Sequence, residues 1–366
     1  MQNYSTKFLI IIPNYHKYLN GGSEIQGKYL ADCLDKLGYR LHYIFLSDHE
    51  FSYRDRNITI HGIKKKNDLL VKMFGHIIYY REVLKRIHSI KPDIIYSRNI
   101  TNLALPIIQY CTNKKCQSIV HLASVDDVKK ELKVSKKVIS NILELMGRIK
   151  IFSKVDKIIA QAKYQDILLR KNFNRGANLI FPNIHPKPKN FVKKEKSNLR
   201  VVWIANWKKW KQPEVFFELT KKCQDTGAKF IMIGRIAEEG WASRLKKQIE
   251  ENLYIENLGE LSIEDVNNEL NKASIFVNTS LKEGFPNTYI QAWMRKVPVV
   301  SLNVDPDDII KKYKLGYNSG NFSQLVKDVK KLISDEGLRK IMGNRAQEYA
   351  LKNHSFNHIE KLTNIL

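Results

Sequence analysis

Two hydrophobic patterns take turns along this chain: short, nearly continuous apolar runs, and longer stretches with helical spacing. Lys7 to Ile12 is the first apolar run, the pattern of a strand buried on both faces. A helix follows, opening near Ser23 and closing at Gly38, with Ile25, Tyr29, Leu30, Cys33, Leu34 and Leu37 on one stripe. Arg40 to Leu46 reads as a strand and, after a loop, Asn57 to Ile63 as another. Asp68 to Ile90 reads as one long amphipathic helix. Asp93–Tyr96, Gln117–Leu122 and Lys157–Gln161 read as strands. Asn102–Cys111, Lys136–Phe152 and Tyr164–Lys171 read as helices.

Residues 182–198 are rich in Pro and Lys and have no period, which is linker composition. The alternation then restarts. Strands are expected at Leu199–Ala205, Lys229–Gly234, Leu253–Ile255, Ser274–Asn278 and Val297–Leu302. Helices are expected at Pro213–Asp225, Ala242–Glu251, Ile263–Asn271 and from Asn287, with three more helical stretches toward the end. Strand–helix alternation on this scale predicts an α/β protein of two Rossmann-like, doubly wound parallel-sheet domains, with a cleft between them as the default site. The expected boundaries are 1–185, a linker at 186–198, a second domain at 199–352, and a terminal helix at 353–366 packing back on the first domain.

At 366 residues two cores are the natural expectation. No apolar run approaches the ~20 residues that span a bilayer, and the first residues carry no signal-peptide pattern. Four cysteines without a CxxC pair read as free thiols of a reducing compartment, and a zinc site is not expected. The net charge of +25 is uneven. Residues 1–198 hold 36 Lys and Arg against 16 Asp and Glu, whereas residues 199–366 hold 26 against 21. The basic half fits an anionic membrane surface, an acidic polymer or nucleic acid, or simply a Lys-rich surface. Lys64, Lys65 and Lys66 precede Leu69, Leu70, Met73, Phe74, Ile77 and Ile78. Lys129, Lys130, Lys133, Lys136 and Lys137 precede a second amphipathic stretch. Both read as membrane-contact segments or as core-facing helices with solvated lysines.

The most informative stretch is Val277 to Trp293. A strand enters a polar turn holding Glu283, Gly284, Phe285 and Pro286, and a helix starts at about Asn287 and Thr288. Free N–H groups at a helix start favour an anion, and a carboxylate beside them suits sugar hydroxyls, so the pair points to a nucleotide-sugar. Glu283 also reads as an acid favoured by the helix dipole. Lys208, Lys209 and Lys211 lie after the first strand of the second half and read as phosphate ligands or a solvated turn. Gly21 and Gly22 sit between the first strand and first helix, where a phosphate can approach closely. No GxGxxG and no Asp-x-Asp metal motif is present; Asp305-Pro306-Asp307 has the spacing but reads as a loop cap.

These segments, in this order, resemble the retaining GT4-type glycosyltransferases of GT-B fold that assemble polysaccharides and lipopolysaccharides. The resemblance rests on Gly21-Gly22-Ser23-Glu24, on Asn206 to Glu214, on Asn278 to Asn287, and on Pro298 to Val300 with Asp305-Pro306. It is close over residues 199–310 and looser over 1–180. Two positions depart from the family pattern. Gln291 stands where a second glutamate is common, eight residues after Glu283, and Asn206 stands where an arginine is common, five before Lys211.

The resemblance implies transfer of a sugar from a UDP- or GDP-linked donor to a glycan or polyprenyl-linked acceptor, without cofactor or metal. The enzyme would work at the inner face of a bacterial plasma membrane, in capsule, O-antigen or exopolysaccharide assembly. It implies that Glu283 and Lys211 act on donor sugar and diphosphate. Asn206, Lys208, Gly284, Phe285, Pro286, Asn287, Thr288 and Gln291 would complete the donor site with Gly21 and Gly22. His121 would contact a donor hydroxyl, and Asp126 or Asp127 would orient the acceptor. From the residues alone, His121 equally reads as a core histidine and the Asp pair as a helix cap. Competing readings are a nucleotide-sugar epimerase on the same fold and a basic nucleic-acid-binding protein. The last lacks an aromatic-and-basic recognition motif, so no specific nucleic acid is expected.

Overall fold

The computed structural model describes residues 6–18, 21–131, 138–188, 199–238 and 240–366. The chain forms two compact units, one of residues 1–183 with 357–366 and one of residues 184–356. Residues 189–198 of the expected linker, and Lys133, Lys136 and Lys137, lie outside the described residues.

In the first unit the strands are β1 (Lys7–Ile11), β2 (Arg40–Ser47), β3 (Phe51–Asp55), β4 (Ile58–Lys64), β5 (Ile94–Arg98), β6 (Gln117–His121), β7 (Lys157–Ala160) and β8 (Leu179–Ile180). Among the described residues they form one sheet in the order β3-β4-β2-β1-β5-β6-β7-β8. Every pairing is parallel except β3 with β4. Phe8, Leu9, Ile10 and Ile11 are buried because β1 lies mid-sheet with neighbours on both sides. The helix Gly22–Lys36 ends as its sequence predicts. Gly38 N–H donates to Asp35 O at 3.0 Å and Tyr39 N–H to Leu34 O at 3.1 Å, the bond pair of a Schellman motif. Its start differs from expectation. Gly21, not Ser23, is the N-cap, and Ser23 Oγ donates to Asn99 Oδ1 at 2.9 Å.

Three elements depart from the sequence reading. The loop expected before β4 is the edge strand β3, whose mostly solvent-facing residues hide an apolar period. The long helix Asp68–Ile90 is three pieces: Asp68–Phe74, a 3-10 turn Gly75–Tyr79, and Tyr80–Ile90. The break falls at Gly75, which adopts φ +66°, a conformation that interrupts a helix and suits glycine. It also lies against the helix Val138–Lys154, where a Cβ would sit 2.8 Å from Glu144 Oε1. In the second unit the strand expected at Leu253–Ile255 runs instead from Ile255 to Asn257, and Leu253 is 97% exposed.

The second unit contains β9 (Arg200–Ile204), β10 (Lys229–Ile233), β11 (Ile255–Asn257), β12 (Ile275–Asn278), β13 (Val299–Ser301) and β14 (Gly316–Asn318). Among the described residues these form a wholly parallel sheet in the order β11-β10-β9-β12-β13-β14. The order reverses between β9 and β12, so the loops leaving their C-terminal ends diverge around a crevice of the kind that holds ligands in open α/β sheets. Each unit has its own apolar core. The last helix, Ile359–Thr363, buries Ile359 and Leu362, and Gln117 Nε2 donates to Ile365 O at 3.2 Å within the first unit.

Candidate functional site

The loops leaving β9 and β12 are tied together by one buried hydroxyl. Thr279 Oγ1 accepts from Trp203 Nε1 at 2.9 Å and directs its hydrogen at the carbonyl oxygens of Lys211 (2.7 Å) and Gln212 (3.0 Å). Leu281 N–H adds a bond to Trp210 O at 2.8 Å. Gln212 sits at φ +51°, ψ 57°, which costs a non-glycine residue ~1–2 kcal/mol. The Thr279 bond helps hold it there, and Pro213 then opens the helix Pro213–Lys222 at its first position, where a missing N–H costs nothing.

This lashing places Lys211 against Glu283. Lys211 Nζ donates to Glu283 Oε1, and Ser280 Oγ donates to the same oxygen at 2.8 Å. Ser280 is positioned in turn by its N–H to Asn278 Oδ1, at 2.9 Å. Both side chains of the pair are mostly shielded, 20% and 16% exposed. A mostly shielded ammonium and carboxylate side by side form a dipolar site. The ammonium can take a diphosphate oxygen while the carboxylate accepts from hydroxyls.

The other expected donor residues are placed less uniformly. Lys208 Nζ lies 4.8 Å from the ring centroid of Trp210, a cation–π contact, and Trp210 is 41% exposed. Asn206 Oδ1 accepts from Arg235 N–H at 3.2 Å and so ties the β9 loop to the β10 loop. Pro286 is the N-cap of the short helix Asn287–Trp293, with Asn287 and Thr288 in its first turn and Gly284 in the preceding turn. Two of these side chains are held by neighbours within the second unit. The Phe285 ring is buried against His354 (5.0 Å between centroids) and Trp293 (6.3 Å), so its side chain packs the core beneath the turn. Gln291 is buried, and its Nε2 donates to Asn267 Oδ1 at 3.2 Å, which turns its amide toward the helix Ile263–Lys272. Asp305 caps the helix Ile309–Tyr313 through Ile310 N–H (2.7 Å) and Lys311 N–H (3.2 Å). Among the described residues no cluster of His, Cys, Asp and Glu is arranged to hold a metal.

In the first unit the structure places His121 in the core, with both ring nitrogens engaged. Nδ1 lies 2.7 Å from Tyr96 Oη and 3.0 Å from Arg98 Nη1, and Nε2 lies 3.2 Å from Phe181 O. Burial, then the Arg98 charge, holds its pKa well below the usual histidine range, so the ring is neutral. Nδ1 therefore accepts and Nε2 donates. Asp127 accepts from Ala123 N–H (2.7 Å), Ser124 N–H (2.9 Å) and Ile100 N–H (3.3 Å) and completes a capping box with Ser124. Burial raises its pKa despite those bonds. Asp126 lies in the same turn, and its carbonyl accepts from Arg148 Nη1 at 2.5 Å. His121 thus makes the contacts of a core histidine, and Asp127 those of a helix cap. At the first helix start, the Glu24 carboxylate folds over Gly21, beside Gly22, and accepts from Asn14 Nδ2 at 3.1 Å.

The sequence reading missed Trp203, Thr279 and Ser280 as positioning groups. Their signal was position alone, in and directly after the two strands that carry the site. It also missed Arg98, a buried cation that closes β5 and donates through Nη2 to Asn183 Oδ1 at 2.5 Å. An arginine ending an otherwise apolar strand was the available clue.

Residues 185–349, nearly the whole second unit, match the family "Glycosyl transferases group 1". An 81-residue stretch is 32% identical to the capsular polysaccharide biosynthesis glycosyltransferase CapM of Staphylococcus aureus, covering 21% of this chain and only about a fifth (21%) of that protein's length. Two solved structures share the fold over nearly their full lengths. Sucrose-phosphate synthase of Thermosynechococcus elongatus superposes with a TM-score of 0.81 at 13% identity, covering 98% of this chain and 97% of that one. Anabaena HepE, solved in complex with UDP and glucose, gives 0.75 at 14% identity, covering 99% and 100%.

Proposed function

We propose that this GT-B-fold chain, whose residues 185–349 match the family of glycosyl transferases group 1, is a retaining glycosyltransferase that uses a UDP- or GDP-linked sugar without metal or cofactor. Its acceptor in this reading is a glycan, carried on a polyprenyl lipid at the inner membrane face during cell-surface polysaccharide assembly. The observation that carries the reading is the Lys211–Glu283 pair, held between loops at the C-terminal ends of two adjacent parallel strands. The UDP and glucose bound by HepE and the capsular role of CapM support it by analogy.

The chemistry follows from charge. The bond between the anomeric carbon and the diphosphate oxygen breaks, and negative charge grows on the departing phosphate. Lys211 stabilises that charge, with the N–H groups around Asn287 and Thr288, and each charge-assisted bond is worth ~1.5–3 kcal/mol. Glu283 fixes the sugar through its hydroxyls. The acceptor oxygen bonds to the same face of the anomeric carbon, and the leaving phosphate oxygen takes its proton. No protein nucleophile is required, so positioning and electrostatics carry the rate.

A thermal-shift screen of nucleoside diphosphates and their sugars tests this reading. A ligand that binds only the folded state raises its stability. One uridine or guanosine diphosphate-sugar should raise the midpoint, and turnover with acceptor should persist in EDTA. No shift with any sugar nucleotide would overturn the reading.

A further inference from the structure

The first unit holds a cavity of about 690 Å³ that the donor chemistry does not use. It is lined by Lys64, Lys65, Lys66, Lys85 and Arg86, with Glu50 and Glu82 as its acids and Leu70 at its edge. Arg86 pairs with Glu50 and Lys66 with Glu82, both at 2.8 Å, and Lys65 pairs with Asp48 at 3.0 Å. Among the described residues Lys64 and Lys85 make no ion pair, so the cavity keeps an excess of positive charge.

Leu70 connects this cavity to an apolar surface. The helix Asp68–Phe74 has no buried residue, and it exposes Leu69 (63%), Leu70 and Met73. It packs beside the helix Val138–Lys154. That helix buries Ser140, Gly147, Ile151 and Phe152 and exposes Val138, Ile139, Ile142, Met146 (62%) and Ile149 on its other side. Lys72, Lys150 and Lys154 are also exposed along these helices. Apolar side chains turned outward on two neighbouring helices, beside cations that outnumber acids, match an interfacial membrane segment in both composition and charge.

We propose that this face docks onto a bilayer carrying anionic phospholipids. Lipid phosphates enter the cavity at Lys64 and Lys85, and Leu69, Met73, Ile142 and Met146 enter the headgroup–acyl boundary. The face gives the lipid-linked acceptor its meeting surface, and for that purpose, though not for its test, it rests on the function proposed above.

Co-sedimentation of the full chain with vesicles is the test, using phosphatidylcholine alone or with about 30% phosphatidylglycerol. The chain should bind the anionic vesicles, more weakly as salt rises. Lys64→Glu with Lys85→Glu should lower the partition by about tenfold or more. Leu69→Ser with Met146→Ser should leave only binding that high salt abolishes. All these side chains are exposed, and an unchanged far-UV circular dichroism spectrum and urea-unfolding transition in each variant certify its fold. Equal binding to both vesicle types, wild-type partition in both variants, or release by excess glycerol phosphate would overturn the proposal. The same would follow if the apolar variant instead abolished self-association of the chain in solution. Vesicle binding without sugar-nucleotide binding would sink the transferase reading alone, and the converse would sink this one alone.

Discussion

Lys211 and Glu283 are ion-paired across 72 residues of sequence, and Ser280 donates to the same Glu283 oxygen. An ammonium has three donors and a carboxylate about four lone-pair sites, so neither side chain is exhausted by the other. An arriving diphosphate adds to Lys211, and sugar hydroxyls add to Glu283.

Glu283→Ala is therefore expected to cut transfer by on the order of a hundredfold or more while leaving a cooperative unfolding transition. Steady-state kinetics with a matched donor, alongside urea unfolding, checks it. Near-wild-type turnover would remove Glu283 from the chemistry.

Thr279→Val keeps the shape of a fully buried side chain and deletes its hydroxyl. Trp203 Nε1 then loses its acceptor, and the Lys211 and Gln212 carbonyls lose a donor. The expected cost is about 1–3 kcal/mol in urea unfolding. Nucleoside diphosphate affinity should fall as well, because the Lys211 loop is no longer tied down. Lost stability with full affinity would show that Thr279 does not position the loop.

His121→Ala and Asp127→Ala should act on stability. For Asp127, three backbone donors lose their acceptor, at about 2 kcal/mol. Donor affinity, measured by calorimetry, should stay within a few-fold of wild type. A large loss of affinity in a well-folded His121→Ala protein would instead assign His121 the ligand role that the resemblance implies.

Acid should weaken the fold. Burial, as the leading cause, holds His16, His42 and His61 down at about 4 and His185 at about 3. Each folded value lies below the unfolded one near 6.5, so the unfolded chain binds more protons between them. The stability these groups contribute is complete above pH 6.5 and is lost as pH falls toward 4. Asp127 and Asp305, raised by burial, act with the opposite sign, above the ordinary carboxylate value of 3.8. The urea midpoint is expected to be lower at pH 5 than at pH 7.5, and an unchanged midpoint would contradict the histidine environments.

Much of this fold is legible in the sequence because both sheets are mainly parallel. Buried parallel strands such as β1 and β12 appear as uninterrupted apolar runs, and Gly38 marks its helix end by local chemistry alone. Legibility fails where tertiary contact decides. The amphipathic period of Asp68–Ile90 runs on through Gly75, and only packing against Val138–Lys154 shows that the helix must break there. Leu253 is as apolar as a strand residue yet points to solvent. In the site, Lys211 and Glu283 could be chosen from the polar turns that follow apolar strands. The sequence could not show that Phe285 faces inward to Trp293 or that Gln291 is bound by Asn267, because both depend on neighbours distant along the chain.

The most direct measurement of the central claim is calorimetric titration of UDP and GDP into the wild-type chain and Lys211→Ala. One diphosphate is expected to bind the wild type, with affinity reduced about tenfold or more in the variant, the worth of one charge-assisted bond. Equal affinity in the two proteins, or no binding of either diphosphate, would contradict the assignment of this lysine to the phosphate.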